Sequence, residues 1–169
     1  MKRSHRLPAA AYRGPSEWFV TICSRDRLPV FRNPRWARHA TSEILRTSHE
    51  QGVAVPAYCV MPDHVHLLCE VPSADRSLLS YTHAFKRDTG FAYRQSTGAH
   101  LWQPSYFDRG LRYDDDRAEV IAYIVLNPVR AGLVACITEY PYIGSTTMPR
   151  ELLIEIAQTP RPRRWTPRR

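Results

Sequence analysis

Residues 53–71 decide the fold: Val53-Ala54-Val55-Pro56-Ala57-Tyr58-Cys59-Val60-Met61, then Pro62-Asp63, then His64-Val65-His66-Leu67-Leu68-Cys69-Glu70-Val71. Two apolar runs rich in β-branched residues flank a Pro-Asp pair, the pattern of a β-hairpin closed by a tight turn. Upstream, Asn33-Pro34 marks a helix start, with Asn at the cap and Pro in the first turn. Trp36, Ala40 and Ile44, with Ala37 and Leu45 beside them, keep helical spacing as far as Gly52. Trp18-Phe19-Val20-Thr21-Ile22-Cys23 reads as a strand before it.

Downstream, Leu78, Leu79, Thr82, Phe85, Thr89 and Ala92 predict a second helix from about Ser77, with loop at 96–100. A fourth strand is expected within 106–111. Asp114-Asp115-Asp116 opens a third helix, because acids favour its positive end, and Asn127-Pro128 closes it. The order β-α-β-β-α-β-α implies an α+β fold: a ferredoxin-like antiparallel sheet with helices packed on it, plus a C-terminal helix. The expected organisation is a basic arm over 1–13, one domain over 14–150, and an extension over 151–169. That extension ends in Pro160–Arg169, with five Arg and three Pro, and is expected to be a disordered tail. The competing expectation is that Trp165 docks the tail onto the domain.

Charge narrows the function. Lys and Arg total 24 against 16 acids, a net charge of +8, and Lys2 and Lys86 are the only lysines. Guanidinium groups pair bidentately with phosphate and stack on bases, so an Arg excess favours nucleic acid over a membrane surface. No apolar stretch of about 18 residues is available to span a bilayer. The basic start, Met1 to Arg6, leads into no apolar segment of the signal-peptide kind, which makes the cytoplasm the expected location. Cys23, Cys59, Cys69 and Cys136 form no C-x-x-C pair and read as reduced thiols, neither ligands nor nucleophiles.

Two patterns carry chemistry. In His64-Val65-His66, alternate strand residues share a face, so both imidazoles point one way and can hold a divalent cation. On the third helix, Tyr123 and Asn127 are neighbours at i and i+4 along the edge of an apolar arc built by Val120, Ile121, Ile124 and Val125. An amide oxygen from Asn127 completes a two-His site with positions open to a phosphate oxygen. Such a mixed set suits Mg²⁺ or Mn²⁺ better than structural zinc. The Tyr123 hydroxyl, one turn away, is placed to attack that phosphate. Either pattern alone has an ordinary explanation: solvated histidines, or a rim tyrosine and a helix-ending asparagine.

The chain resembles the HUH single-tyrosine transposases of bacteria, and most closely their REP-associated branch. The matching segments are Tyr58 to Leu68, Leu101-Trp102-Gln103-Pro104, Tyr106-Phe107-Asp108-Arg109, and Tyr123 to Val134. The resemblance implies cleavage and rejoining of single-stranded DNA, at REP-type hairpin repeats, in the bacterial nucleoid. It assigns the metal to His64, His66 and Asn127. It makes Tyr123 the nucleophile that stays joined to the 5′ phosphate while a 3′ hydroxyl is released. Many insertion-sequence relatives carry Gln where this chain has Asn127; the REP-associated branch commonly has Asn.

Lys86, Arg87, Arg109 and Arg112 are candidate phosphate contacts, and Trp102 and Tyr106 candidate base-stacking rings. Single-stranded or hairpin DNA is the expected partner, with no membrane, and the protein is either a monomer or a homodimer. The competing functions are a DNA-hairpin-binding protein that does not cut, and a metal-dependent hydrolase in which water attacks.

Overall fold

The computed structural model describes residues 7–161 and 165–167. Five strands form one antiparallel sheet in the order β4-β1-β3-β2-β5. The strands are β1 (Ser16–Cys23), β2 (Ala54–Met61), β3 (His64–Val71), β4 (Phe107–Gly110) and β5 (Ile143–Gly144). The first four reproduce the ferredoxin-like arrangement expected from the sequence. The hairpin closes as read: Met61 faces His64, with Pro62-Asp63 as its two-residue turn.

The helices start where their caps place them. Asn33 accepts the Arg35 N–H and opens α1 (Pro34–Gln51), which ends at Gly52 with φ +59°, a left-handed conformation glycine adopts without strain. Ser77 accepts the Leu79 N–H and opens α2 (Leu78–Thr97). Asp116, last of the acidic triplet, accepts the Ala118 N–H and opens α3 (Arg117–Val125). The chain breaks at Leu126 and resumes as the single turn α4 (Asn127–Arg130), with Pro128 in its first turn. A further helix, α5 (Arg150–Gln158), falls almost wholly within the segment expected as an extension. Leu153 and Ala157 recur at its buried face, a short spacing that went unread between Pro149 and the basic tail. Among the described residues no helix is long and apolar enough to cross a membrane.

The sheet is buried on both faces. α1 and α2 cover one, packing on Val20, Ile22, Val65 and Leu67. α3 and α5 cover the other, packing on Phe19, Cys59, Met61 and Leu68. Two-sided burial is why residues 53–71 read as near-continuous apolar sequence rather than strict alternation. It also puts Val65 in one core and His64 and His66 on the opposite face, under α3. The described part of the basic N-terminal segment is built into the domain. Tyr12 is buried, stacks on Trp18 at 4.8 Å and donates to Asp108 Oδ2 at 2.7 Å. Cys59 and Cys69 are buried thiols, and burial pushes both up from the usual thiol range.

Candidate active site

The strand register fixes the histidines. His66 stands opposite Thr21 on β1 and Cys59 on β2; His64 stands opposite Cys23 and Met61. Their Nε2 atoms lie 3.0 Å apart. Two nitrogen ligands about 2.1 Å from one cation and at right angles to each other are also separated by about 3.0 Å. The pair therefore fits a single divalent ion.

The outer nitrogens are held by neighbours. His64 Nδ1 lies 2.5 Å from Asp63 Oδ1, and Asp63 Oδ2 accepts from Arg27 at 3.2 Å. A carboxylate only accepts, so neutral His64 carries its proton on Nδ1 and leaves Nε2 as a lone pair. His66 Nδ1 lies 2.9 Å from Thr21 Oγ1. A hydroxyl donates or accepts, so Thr21 supports either His66 tautomer.

Burial keeps both rings neutral. It lowers His64, against the opposing pull of Asp63, and it lowers His66 well below the usual imidazole range, helped by His64, Arg130 and Arg27. Neutral imidazole is the ligating form. The same shift makes stability depend on pH. Depression of His66 contributes stability present above its unfolded value near 6.5 and lost as pH falls toward the folded value. Thermal melts in chelator are expected to fall steadily from pH 7 to pH 5, at up to about 1.4 kcal/mol per pH unit for this one proton. A His66→Gln protein should show a flatter profile; a profile as steep as the parent's would assign the loss to other groups.

α3 lies across this face. The Tyr123 ring is centred 5.9 Å from the His66 ring and 5.7 Å from Phe19. Asn127 donates from Nδ2 to the Tyr123 carbonyl at 2.8 Å. With its nitrogen held by backbone, the amide has its oxygen to offer a cation. Among the described residues no three His, Cys, Asp or Glu side chains gather as a metal cluster. Tyr123 also lines a cavity of about 510 Å³ with Glu119, Leu126, Arg130, Arg161 and Trp165.

Of two further residues in this neighbourhood, the first has no signal in the sequence and the second stood there only as the competing expectation for the tail. Arg130 sits with its guanidinium carbon 4.4 Å from the centre of the Tyr123 ring. Helical spacing gave no warning, because the break at Leu126 and Pro128 interrupts the wheel before residue 130. The second is Trp165. It is 8% exposed, packs on Phe19 and Tyr123 with centroids at 5.0 and 5.3 Å, and donates from Nε1 to Asp115 Oδ1 at 2.9 Å. The expectation of a disordered tail is corrected at this residue: the docking alternative holds. An indole that covers two rings and finds an acceptor offsets the ordering entropy of its segment. Residues 162–164 and 168–169 of that expectation lie outside the described residues. Trp165→Ala is expected to lower stability by about 3 kcal/mol, measured by denaturant unfolding. An unchanged midpoint would mean the tail is only loosely attached.

The other candidates divide. Arg109 is drawn into the tail cluster, contacting both Asp115 oxygens at 2.8 and 3.0 Å and lying 5.0 Å from the Trp165 ring centre. Burial opposes ionisation of Asp115, but the Arg112 N–H, the Trp165 N–H and Arg109 lower it overall. Arg112 is exposed. Lys86 donates to the carbonyls of Gln103 and Pro104 at 2.8 and 3.1 Å. Arg87 is exposed and paired with Asp88 at 2.5 Å.

The base-stacking expectation is corrected for both aromatic candidates. Trp102 is buried between Phe31 and Phe85 and donates to Thr89 Oγ1 at 2.8 Å. Tyr106 is buried and accepts from Thr82 Oγ1 at 2.9 Å. Each ring packs into the α2 side of the core, a role that an aromatic in a short motif does not distinguish from surface stacking.

With a tyrosine above a paired-histidine strand in a ferredoxin-like sheet, residues 18–125 match the family described as "Transposase IS200 like". The chain belongs to that family. Over 128 residues it is 25% identical to the REP-associated tyrosine transposase of Escherichia coli (strain K12), a match covering 74% of this chain and 73% of that one. A solved REP-associated tyrosine transposase bound to a REP hairpin superposes with a TM-score of 0.66 at 24% identity, covering 85% of this chain and 82% of the other.

Proposed function

We propose that this protein cleaves and rejoins single-stranded DNA through a 5′-phosphotyrosine on Tyr123, at hairpin-forming repeats of the kind bound by its structural neighbour. The single observation that carries the reading is the 5.9 Å approach of the Tyr123 ring to a His pair whose Nε2 atoms converge at 3.0 Å. His64, His66 and the Asn127 oxygen would hold the ion, Mg²⁺ or Mn²⁺. When bound, it supplies Lewis-acid polarisation of the scissile phosphate.

The remaining work falls to side chains. Phe19, His66 and Trp165 pack around the Tyr123 ring and limit its rotamers, which aligns the hydroxyl. Arg130, exposed and stacked on the same ring, is positioned to meet the phosphate charge. The Tyr123 oxygen bonds to phosphorus as the bond from phosphorus to the 3′ oxygen breaks. The phenol proton passes to solvent, and the departing 3′ oxygen takes one up. The new ester keeps the energy of the phosphodiester, so the reverse attack by a 3′ hydroxyl reseals DNA without a nucleotide cofactor.

Incubating the protein with labelled hairpin-bearing single strands and Mg²⁺ tests this. A covalent adduct surviving denaturing gel electrophoresis is expected. Free cleaved product without adduct would instead identify a hydrolase, and a mobility shift without cleavage a binding protein.

A further inference from the structure

On the side of the sheet covered by α1 and α2, a phenylalanine ring stays in solvent, more exposed than Leu45 of α1. α2 buries Leu78, Tyr81, Thr82, Phe85 and Thr89, yet leaves Phe91 65% exposed. One exposed ring is ordinary by itself; its surroundings are not. Arg87 and Arg94, at i−4 and i+3, flank Phe91 on the same helix face. Two hollows meet at Phe91 and Arg94. One is bounded by Gln95 and Gly98; the other, about 460 Å³, runs past Arg87 and His100 to Gln103. Among the described residues no acid lines either hollow, and the nearby Asp88 is already shared by Arg46 and Arg87.

This groove connects to the His pair through backbone. Gln103 donates its N–H to the Cys23 carbonyl at 3.0 Å, and Cys23 stands opposite His64 in the β1–β3 register. Two inter-strand steps of about 4.8 Å each therefore separate Gln103, at one end of the groove, from the strand that carries His64, whose imidazole lies on the other face of the sheet.

We propose that the groove is a second nucleic-acid site, taking unpaired nucleotides that flank the cleaved phosphate. A base stacks on Phe91 while Arg87 and Arg94 contact the phosphates on either side. This rests on the single-strand reading above. A ring flanked by guanidinium groups matches a polymer in which bases and phosphates alternate. An acidic peptide supplies the charge without the ring. A second copy of the chain would set a +8 molecule against cationic side chains.

The test uses the full chain and fluorescent (dT)₂₀, with binding measured across a salt series and compared with an abasic strand of equal length. Phe91→Ala is expected to weaken (dT)₂₀ binding about tenfold at unchanged salt slope, to leave abasic binding at the parent's level, and to be rescued by Phe91→Trp. Arg94→Gln should reduce the slope by about 0.7 on both strands. Parental binding by Phe91→Ala, or an equal loss on the abasic strand, overturns the proposal. So does sedimentation showing a dimer that Phe91→Ala dissociates. Adduct formation on hairpin strands is scored separately in the same proteins. Parental (dT)₂₀ binding by Phe91→Ala with adduct formation intact sinks the groove alone, whereas base-dependent binding without any adduct sinks the cleavage reading alone.

Discussion

A Tyr123→Phe protein is expected to bind single-stranded DNA with parental affinity and to form no covalent adduct, a loss of at least about a thousandfold. The change removes one hydroxyl and keeps the ring, so the packing with Phe19, His66 and Trp165 and the contact from Arg130 survive. Near-ultraviolet circular dichroism should match the parent and show that the site is intact. If the adduct persists, another tyrosine is the nucleophile. Tyr106, the nearest alternative in the matching motifs, is buried and bonded to Thr82, so the fully exposed Tyr113 becomes the first to examine.

The second large effect is at the His pair. His64→Ala and His66→Ala are each expected to reduce adduct formation at least about a hundredfold, and the double variant should not be rescued by millimolar Mn²⁺. Mg²⁺ binds such sites through few protein ligands and keeps several waters, so losing one imidazole removes much of what holds it. Affinity for uncleaved DNA should stay near the parent's, which separates a chemical role from a folding defect. His66 is 6% exposed, so its truncation also leaves a cavity, and melts must accompany the assay. A double variant that cleaves fully in chelator-treated buffer would remove the metal from the reading. Asp63→Ala offers a finer probe: it frees His64 to rotate without removing a ligand, and a loss of tenfold to a hundredfold is expected.

The sequence was most informative where local chemistry and global packing agree. Asn33, Ser77 and Asp116 each cap the helix they announce, because a side-chain acceptor beside a free N–H needs only neighbouring residues. His64 and His66 were legible for a similar reason: strand period alone puts them on one face. That this face is covered by α3 was less visible, since it depends on contacts between segments about sixty residues apart. Arg130 reaches Tyr123 only through the break at Leu126, a backbone event outside any periodic pattern. Trp165 was weighed as a single aromatic in a basic tail, while its acceptor, Asp115, lies fifty residues away. Trp102 and Tyr106 are the opposite case: a short motif does not reveal that α2 covers their rings.

The two-residue turn at Pro62-Asp63 carries a consequence for changes in chain length. Substitutions there act on one hydrogen bond or one ring. An insertion or deletion of a single residue shifts β3 by one place against its partners, and strand side chains alternate strictly. Val65 and Leu67 would then turn toward α3, and both imidazoles would enter the apolar layer under α1 and α2. No side chain in the proposed site would have changed identity, yet the paired imidazoles would leave it and the core would hold two polar rings. For this hairpin, spacing is as much a part of the proposed active site as the histidines themselves.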